Sequence, residues 1–260
     1  MQNRTMHKRV TTTNSMAKQK IEVLFEDEWV VVANKPPFLR TLPDRYRKDL
    51  PNLLDFFRKK YGEIFIVHRL DKETSGIIIL AKTKEAHKHL NQQFEKRTID
   101  KSYLTLVEGN GFPENGKIEK AISSHPTSNR MKVSKKGKPS VTEFQLVEQF
   151  QNFALVEAKI LTGRMHQIRV HFESIGFPLA VDAIYGRREQ LSFTDIKKGK
   201  LKTGKDETET KPLIQRSTLH SWKIEFEHPT STKRVNFEAN PPKDLKATIN
   251  QLRKWRGVGE

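Results

Sequence analysis

The sequence predicts one α+β domain over residues 21–260, preceded by a basic tail over residues 1–20. Short β-branched runs and amphipathic helical stretches are mixed along the chain, without the regular β-α alternation of a doubly wound sheet. The length of 260 residues is ample for one hydrophobic core, although only 35% of the residues are hydrophobic. No apolar run approaches the roughly 20 residues of a membrane helix, and the tail lacks the apolar centre of a secretory signal.

The domain begins with the pattern of a hairpin followed by a helix. Two apolar runs, residues 21–25 and 29–33, are separated by three acidic residues, and this pattern predicts a β-hairpin. Two prolines after Lys35 end the second strand, because proline cannot donate a ladder hydrogen bond. Residues 52–61 then have the spacing of a helix that Gly62 ends.

Two buried strands and a helix follow in the sequence. The β-branched runs at residues 64–67 and 77–81 predict the strands, and they flank a polar turn at residues 68–76. Thr83 can cap a helix over residues 84–97, because its hydroxyl can accept a hydrogen bond from a free backbone N–H. The later patterns are four strands, a helix ended by Gly176, two more strands and a final amphipathic helix, at about residues 101–108, 117–122, 140–148, 153–161, 165–175, 220–226, 235–239 and 245–255.

Positive charge is concentrated in three segments of the chain. Lys and Arg outnumber Asp and Glu by 48 to 31, which gives a formal net charge of +17. Residues 1–20, 123–139 and 187–216 carry +5, +5 and +4 of this charge, and each lacks apolar periodicity. We therefore interpret them as a flexible tail, a loop and an inserted loop. Basic loops on a folded body are typical of nucleic-acid-binding proteins, although loops that only aid solvation would look the same.

The densest polar segment lies between the two predicted buried strands. It runs from His68 to Gly76 and includes Arg69 and Asp71. A short polar loop held by buried strands is a frequent position for catalytic groups, but an ordinary hydrophilic turn has a similar composition. Protein kinases use a His-Arg-Asp sequence in their catalytic loop. Here Leu70 interrupts that order and the other kinase motifs are missing, so we do not expect a kinase.

A second polar motif occupies residues 161–171. Gly163 can turn the chain between a strand and a helix, which puts Arg164 near a helix N-terminus, where it could meet a carboxylate or a phosphate. His166 and His171 are five residues apart, whereas ligands on one helix face are usually four apart. The chain has no cysteine, which excludes disulfides, thiolate nucleophiles and cysteine-based zinc sites. We therefore expect no metal site.

Five segments resemble the motifs of RluA-type RNA pseudouridine synthases, in that family's order, between about residues 21 and 240. They are His68-Arg69-Leu70-Asp71 with Thr74-Ser75-Gly76, Lys101-Ser102-Tyr103-Leu104, residues 161–171, residues 178–186 with Asp182, and Leu219-His220 with His228-Pro229. The resemblance implies the pseudouridine synthase fold, a mixed, mainly antiparallel central sheet flanked by helices and loops. It also implies an isomerase that converts specific uridines of tRNA or 23S ribosomal RNA to pseudouridine, with no cofactor.

The family's catalytic residues correspond to Asp71, Tyr103 and Arg164 in this sequence. The resemblance assigns the nucleophile to Asp71, which would attack either the anomeric carbon of the sugar or carbon 6 of uracil. Arg164 matches the arginine expected to keep that carboxylate charged. Tyr103 matches the aromatic residue that stacks on the target base and helps to remove the proton from carbon 5.

Residues around these three are expected to contact the RNA. Arg69 resembles the residue that fills the space left by the extruded base, with a phosphate contact as the alternative. His68, Thr74, His166 and Arg169 are the other candidates for contacting RNA or orienting the site. We expect RNA as the partner, a monomer without an obligatory protein partner, and a cytoplasmic location. The 20 residues before the domain are too few for the N-terminal RNA-binding domain of some relatives, so the basic loops are expected to grip the RNA.

Two other functions agree with parts of the sequence. A protein that only binds RNA on a synthase fold would not need the triplet of Asp71, Tyr103 and Arg164, and all three residues are present. A glycoside hydrolase would need a second catalytic carboxylate, for which Glu73 is the only close candidate in the loop. The synthase hypothesis accounts for more of the motifs than either alternative.

Overall fold

The computed structural model describes residues 21–128, 130–197 and 211–258. The predicted tail, residues 1–20, and the centre of the predicted insertion, residues 198–210, lie outside the described residues. The strands are β1 (Glu22–Glu26), β2 (Val30–Lys35), β3 (Phe65–Ile66), β4 (Ser75–Ala81), β5 (Asp100–Glu108), β6 (Asn115–Glu119), β7 (Ile122–Ser124), β8 (Met131–Val133), β9 (Val141–Phe150), β10 (Phe153–Ile160), β11 (Leu191–Ser192), β12 (Pro212–Ile214), β13 (Leu219–Glu227) and β14 (Arg234–Glu238). The helices are α1 (Leu53–Tyr61), α2 (Lys84–Lys96), α3 (Gln167–Ser174), α4 (Phe193–Ile196) and α5 (Lys243–Arg256).

Ten strands form one mixed sheet at the centre of the molecule. Its order is β1-β2-β4-β13-β5-β10-β9-β6, with β14 beside β13 and β3 beside β4. These neighbours pair antiparallel, except that β13 runs parallel to β4. The predicted α+β class with a mixed, mainly antiparallel sheet is therefore confirmed.

The parallel pairing of β4 with β13 depends on a glycine. Gly76 lies opposite Ser221 in the register, and its φ angle is 110°. A Cβ atom added at this position would lie 2.1 Å from the carbonyl oxygen of Ser221. Glycine is required here for both the backbone angle and the close approach of the two strands. The pairing brings the late strand β13 against the loop that precedes β4.

The sheet separates the helices onto two faces, because consecutive residues of a strand point in opposite directions. Ile78 packs in one core with Phe57 of α1 and Phe172 of α3. The adjacent Ile77 packs in a second core with Leu90 of α2. Helix α5 covers the same face as α2, farther along the sheet. The loop that precedes β4 therefore belongs to a sheet that is packed on both sides.

The helices α1 and α2 begin and end within one residue of the bounds that the sequence predicted. The side chain of Asn52 accepts a hydrogen bond from the N–H of Asp55, and that of Thr83 accepts one from the N–H of Ala86. Gly62 ends α1 with a φ of 77°. No helix in the described part of the chain is long and apolar enough to cross a membrane.

Helix α3 begins later than the predicted residue 165. His166 has a left-handed backbone conformation, with φ of 55° and ψ of 21°, and this conformation interrupts the helical path. The first helical residue is therefore Gln167. Arg164 consequently lies in the turn before α3 and not in its first turn.

Two segments predicted to be loops contain folded elements. Strand β7 pairs antiparallel with β8, and β7 together with residues 130–138 is called the basic hairpin below. In the predicted insertion, β11 pairs with β12, and Leu191, Ile196 and Ile214 are buried in one core with α5. The prediction of a loop is therefore wrong for the flanks of the insertion. Strands of two or three residues are too short to leave a periodic pattern in the sequence.

Candidate active site

One cleft is lined by both polar motifs and is called the Asp71 cleft below. All eight residues that the sequence predicted for the site lie along it, namely His68, Arg69, Asp71, Thr74, Tyr103, Arg164, His166 and Arg169. The turn before β4, the strand β5 and the start of α3 supply them. The structure thus brings together side chains from three separate parts of the sequence, and the contacts of each one distinguish their possible roles.

Asp71 lies in a tightly held loop between β3 and β4. The hydroxyl of Thr41 donates to the carbonyl oxygen of Leu70 at 2.8 Å and accepts from the N–H of Leu70 at 3.2 Å. The carbonyl oxygen of Asp71 accepts a hydrogen bond from the N–H of Thr74 at 3.1 Å. The Asp71 side chain is 27% exposed, so the carboxylate reaches the cleft while its backbone is fixed.

A fully buried lysine lies beneath this loop. Lys35, the last residue of β2, has no exposed surface, and its Nζ donates to three backbone carbonyl oxygens. One of them belongs to Lys72, the residue after Asp71, at 3.3 Å. Burial, together with the positive charge of Arg216, lowers the pKa of Lys35 to about 7, and the negative charge of Asp71 acts in the opposite direction.

A second buried cation holds the next peptide group of the loop. Arg216 is 1% exposed, and its Nη1 donates to the carbonyl oxygen of Glu73 at 3.2 Å. Its Nε and Nη2 form a two-pronged pair with Asp244, near the start of α5, at 2.7 and 2.9 Å. Lys35 and Arg216 together fix the backbone that follows Asp71.

The guanidinium beside Asp71 belongs to Arg169 on α3. Its Nη1 lies 3.7 Å from Oδ2 of Asp71. Arg169 is 5% exposed, and its Nε and Nη2 donate to the buried carboxylate of Asp182 at 2.6 and 2.7 Å. Asp182 also accepts hydrogen bonds from the backbone N–H groups of Ile184 and Tyr185. With two of its nitrogens held in this way, Arg169 presents the third to Asp71 and stabilises its negative charge.

The expected pairing of Asp71 with Arg164 is therefore wrong. Arg164 lines the cleft, but its Nη2 donates to the carbonyl oxygen of Pro139 at 3.3 Å, and its buried Nε has no partner among the described residues. Arg169 lies on α3, whereas Arg164 lies in the turn before it. The missed signal was Asp182, a lone acidic residue in an otherwise apolar segment, because a buried carboxylate needs a cationic partner.

Tyr103 reaches the cleft from β5. It lies opposite Ser221 in the register and is 7% exposed. Burial raises the pKa of its phenol to about 12; a hydrogen bond with the Ser221 side chain opposes this shift, and the charge of Asp71 adds to it. The phenol is therefore protonated at neutral pH. Its ring offers an apolar surface in the same cleft as the Asp71 carboxylate.

His166 lies directly beside Asp71, on the same side as Arg169. Its Nε2 is 3.6 Å from Oδ2 of Asp71, and its Nδ1 is 3.0 Å from the hydroxyl of Tyr185. Burial lowers the pKa of His166, and the charge of Asp71 offsets part of this shift. The imidazole is therefore neutral at neutral pH. This position makes His166 part of the Asp71 environment, whereas the sequence suggested only an RNA contact or an orienting role.

His68 does not supply a cation for RNA phosphates. Its Nε2 accepts a hydrogen bond from the N–H of Ile79 at 3.0 Å, and its ring stacks on Phe94 at 4.9 Å between centroids. Burial, with a contribution from Lys101, lowers its pKa to about 3, so the ring stays neutral. The contacts give His68 a structural role, holding the loop against β4 and α2.

Arg69 and Thr74 differ in their access to a ligand. Arg69 is exposed at the cleft, and its side chain makes no ion pair within the described part of the chain. It is available to RNA. Thr74 is 2% exposed and closes the turn after Asp71 through its backbone N–H. Its position fits a role in shaping the loop.

The Asp71 cleft has the groups for the reaction of a carboxylate with an electrophilic carbon next to a planar group. The carboxylate can attack an electrophilic carbon, the buried guanidinium of Arg169 can hold its charge, and Tyr103 can stack on a planar group. Within residues 21–128, 130–197 and 211–258, no cluster of three or more His, Asp or Glu side chains is placed to hold a metal ion. The arrangement is compatible with an enzyme that uses a carboxylate as its nucleophile.

Comparison with known proteins identifies the family. A family model described as RNA pseudouridylate synthase matches residues 29–174, which is more than half of the chain. The chain belongs to the RNA pseudouridylate synthase family, whose members are isomerases that act on RNA, and the resemblance to its RluA-type branch is confirmed.

Similar curated proteins come from several bacteria. The ribosomal large subunit pseudouridine synthase D of Nitrosomonas europaea is 34% identical over 90% of this chain and 65% of its own length. The ribosomal large subunit pseudouridine synthase C of Haemophilus influenzae is 32% identical over 93% of this chain and 71% of its own length. The uncharacterized RNA pseudouridine synthase YlyB of Bacillus subtilis is 34% identical over 90% of this chain and 73% of its own length. The chain thus spans slightly less than two thirds of the Nitrosomonas protein.

Two solved human structures share the fold. RNA Pseudouridylate Synthase Domain Containing 4 aligns with a TM-score of 0.66 and 22% identity, and covers 89% of this chain and 93% of its own. RNA Pseudouridylate Synthase Domain Containing 1 aligns with a TM-score of 0.66 and 24% identity, and the alignment covers 92% of this chain and 97% of the human one. At these identities the likeness concerns the fold alone.

Proposed function

We propose that this protein is an RNA pseudouridine synthase that isomerises a uridine of large-subunit ribosomal RNA, with Asp71 as the nucleophile. The observation that carries the proposal is the Asp71 carboxylate, 3.7 Å from the guanidinium of Arg169 in a cleft shared with Tyr103. Membership of the family supports the reaction. The names of two relatives favour ribosomal RNA over tRNA, the other substrate that the sequence left open.

The target uridine has to leave its stack before a side chain inside a cleft can reach it. Arg69 is exposed at the cleft and carries an unpaired guanidinium within the described part of the chain, so it suits the space that the base vacates. The ring of Tyr103 then stacks on the extruded uracil. We assign Tyr103 to stacking, because its ring lines the cleft and burial raises the pKa of its phenol to about 12; its help in removing the carbon 5 proton stays a prediction.

Asp71 attacks either the anomeric carbon of the ribose or carbon 6 of the uracil. The bond between the anomeric carbon and N1 breaks, the uracil turns within the cleft, and carbon 5 bonds to the anomeric carbon. The bond between Asp71 and the substrate breaks, which restores the carboxylate; carbon 5 loses its proton to water, and N1 takes up a proton from water. The product has the same atoms as the substrate, so the reaction consumes no oxidant and no second substrate.

Binding of the RNA relies on exposed positive charge outside the cleft. The basic hairpin carries Lys132, Lys135 and Lys136, all exposed, and it contacts the site through Met131, as described below. Such side chains bind phosphates without regard to sequence. We propose that the protein acts as a monomer, without an obligatory protein partner. A ribosomal RNA substrate implies that it works in the cytoplasm.

The nucleophile is tested with Asp71→Asn, which keeps the size of the side chain and removes its charge. Release of tritium from RNA labelled at uracil carbon 5 should fall by at least about a thousandfold, while binding of the same RNA is retained. The control is Asp49→Asn, an exposed aspartate paired with Arg47 away from the cleft, which should behave like the wild type. Tritium release at the wild-type rate by Asp71→Asn would refute the proposed nucleophile.

The substrate is tested by mapping pseudouridines across total RNA from cells that lack the gene. We expect one or more sites in large-subunit ribosomal RNA to be lost, then restored by the wild-type gene but not by Asp71→Ala. Loss of sites only in tRNA would overturn the ribosomal assignment and keep the activity. An unchanged map would contradict both.

A further inference from the structure

Tyr185 connects the Asp71 environment to the basic hairpin. It is 4% exposed and lies in the loop after α3. Its hydroxyl is 3.0 Å from Nδ1 of His166 and accepts a hydrogen bond of 2.7 Å from the backbone N–H of Met131, the first residue of β8. One hydroxyl therefore joins a residue beside the carboxylate to the backbone of the hairpin.

The ring of Tyr185 is held on several sides. The guanidinium carbons of Arg130 and Arg169 lie 5.2 and 5.1 Å from its centroid. The ring of His166 meets it edge to face, with centroids 5.5 Å apart and planes at 78°. These contacts fix the direction of the hydroxyl, because a buried aromatic ring has few alternative rotamers.

The hydrogen bonds of Tyr185 select one tautomer of His166. A phenol hydroxyl has a single proton, and the Met131 N–H already uses one acceptor position of the Tyr185 oxygen. Among the described residues, Nδ1 of His166 is the one acceptor within hydrogen-bonding distance of that proton, so donation to an unprotonated Nδ1 satisfies the hydroxyl, whereas an Nδ1–H would leave its proton without a partner. In a neutral imidazole the other nitrogen carries the hydrogen, so Nε2–H faces Oδ2 of Asp71 across 3.6 Å.

We propose that Tyr185 is a positioning residue, which holds His166 in the Nε2–H tautomer and thereby orients the Asp71 carboxylate for attack. This inference rests on the proposed function of Asp71. The distance of 3.6 Å is slightly longer than a hydrogen bond, and such contacts often shorten when the substrate binds. If Nδ1 carried the hydrogen, the lone pair of Nε2 would instead face the carboxylate and repel it.

The electrostatic surroundings of His166 keep this arrangement neutral at neutral pH. Burial lowers its pKa; Asp71 and Asp182 act to raise it, and Arg169 acts to lower it. The ionisable groups that face the ring are Asp71, Arg69, Arg169, Asp182 and Tyr185. Arg130 faces the other partner, the Tyr185 ring. Because the imidazole is uncharged, its tautomer decides which sign of partial charge it presents to Asp71.

The first test replaces Tyr185 by Phe, which removes only the hydroxyl. We expect kcat for tritium release to fall roughly five- to tenfold, the effect of losing one buried hydrogen bond, with the KM for RNA unchanged. Tyr61→Phe is the matched control, since Tyr61 donates its hydroxyl to Glu26 far from the cleft, and it should keep the wild-type kcat.

The same substitution in a His166→Ala background separates positioning from a general structural role. If Tyr185 acts through His166, Tyr185→Phe has no further effect on kcat once the imidazole is gone. An equal fall in kcat in both backgrounds, or no fall in either, would overturn the proposal.

A second test needs neither catalysis nor a stable Tyr185 variant. The ¹⁵N chemical shifts of the histidine rings in the free wild-type protein report their tautomers, and the His166 signal is the one missing from His166→Gln. We expect the Nε2–H form, and a predominant Nδ1–H form would overturn the proposal. Because this measurement uses no RNA, the inference and the proposed activity can fail separately: inactive wild-type protein with the expected tautomer would contradict only the activity.

Discussion

The segment between β3 and β4 that contains Asp71, called the Asp71 loop, lies over buried basic side chains, whereas the basic side chains of the basic hairpin are exposed. Beneath the loop, the cations of Lys35 and Arg216 are buried and donate to backbone carbonyl oxygens. On the hairpin, Lys132 and Lys136 are exposed and make no ion pair in the part of the chain that the structure describes. A buried charge fixes the geometry around it, and removing it lowers the stability of the fold. An exposed charge instead raises the affinity for RNA when it contacts a phosphate. Variants of Arg169, Lys35 and the hairpin lysines test this difference, and a Gly76 variant tests the strand pairing beside Asp71.

The largest effect is expected from Arg169→Met. The free energy of unfolding should fall by about 3–5 kcal/mol, because the substitution leaves the buried carboxylate of Asp182 without its partner. Urea unfolding measures the change. Arg164→Met is the matched control and should cost less than about 1 kcal/mol, since its side chain makes one long hydrogen bond. Equal losses for the two variants would contradict the assignment of Arg169 as the buried member of the pair.

A somewhat smaller loss is expected from Gly76→Ala. The free energy of unfolding should fall by about 3 kcal/mol, because the added methyl group meets the Ser221 carbonyl oxygen and the backbone angle is unfavourable for alanine. Gly163→Ala serves as the control, since a Cβ there has no atom within 4 Å. If the two alanine variants unfold at the same urea concentration, β4 and β13 do not approach as closely as described.

The buried charge of Lys35 should make stability depend on pH. Its pKa is about 7 in the folded protein and near 10.5 in the unfolded chain, so the unfolded chain binds more protons between these values. The free energy of unfolding should therefore rise with pH across this window, by at most about 1.4 kcal/mol per pH unit. Lys35→Met should show a smaller rise than the wild type, although not none, because burial also lowers the pKa of Lys101, to about 8. The exposed Lys59→Met should keep the full rise. Parallel profiles for the wild type and Lys35→Met would rule out Lys35 as the source.

The smallest effect on folding is expected in the basic hairpin. Lys132→Ala combined with Lys136→Ala should leave kcat at saturating RNA unchanged and weaken binding. The slope of log affinity against log salt should become shallower by about 1 for each lost phosphate contact. Lys254→Ala, on α5 at the other face of the sheet, is the control. An unaltered slope would remove the hairpin from the RNA-binding surface.

The sequence predicted the meeting of Asp71 and Tyr103 because each belongs to a motif with a recognisable order. It also predicted the cap Thr83 and the helix end at Gly62, since each acts on its immediate neighbours, whereas Asn52, which caps α1, was placed inside the predicted helix. Such local effects are encoded within a few residues. The α+β class follows from the same short-range patterns.

The choice between Arg164 and Arg169 depended on contacts that are distant in sequence. The left-handed backbone of His166 delays α3, and the carboxylate that holds Arg169 lies thirteen residues later, at Asp182. Neither feature leaves a periodic signal. Lys35 and Arg216 were missed for the same reason, because a basic side chain is buried only when several carbonyl oxygens converge on it, and that convergence is a property of the fold.

The strand that completes the Asp71 loop is made late in translation. Ser75 donates its hydroxyl to Nδ1 of His220 at 2.9 Å across 145 residues, and Nε2 of His220 donates to the carbonyl oxygen of Ala239. A nascent chain that already contains Asp71, Tyr103 and Arg169 still lacks β13 and Arg216. Long-range pairing of this kind is slow to form. We therefore expect a chain that ends before residue 216 to lack the contacts of Arg216 and β13 with the segment around Asp71.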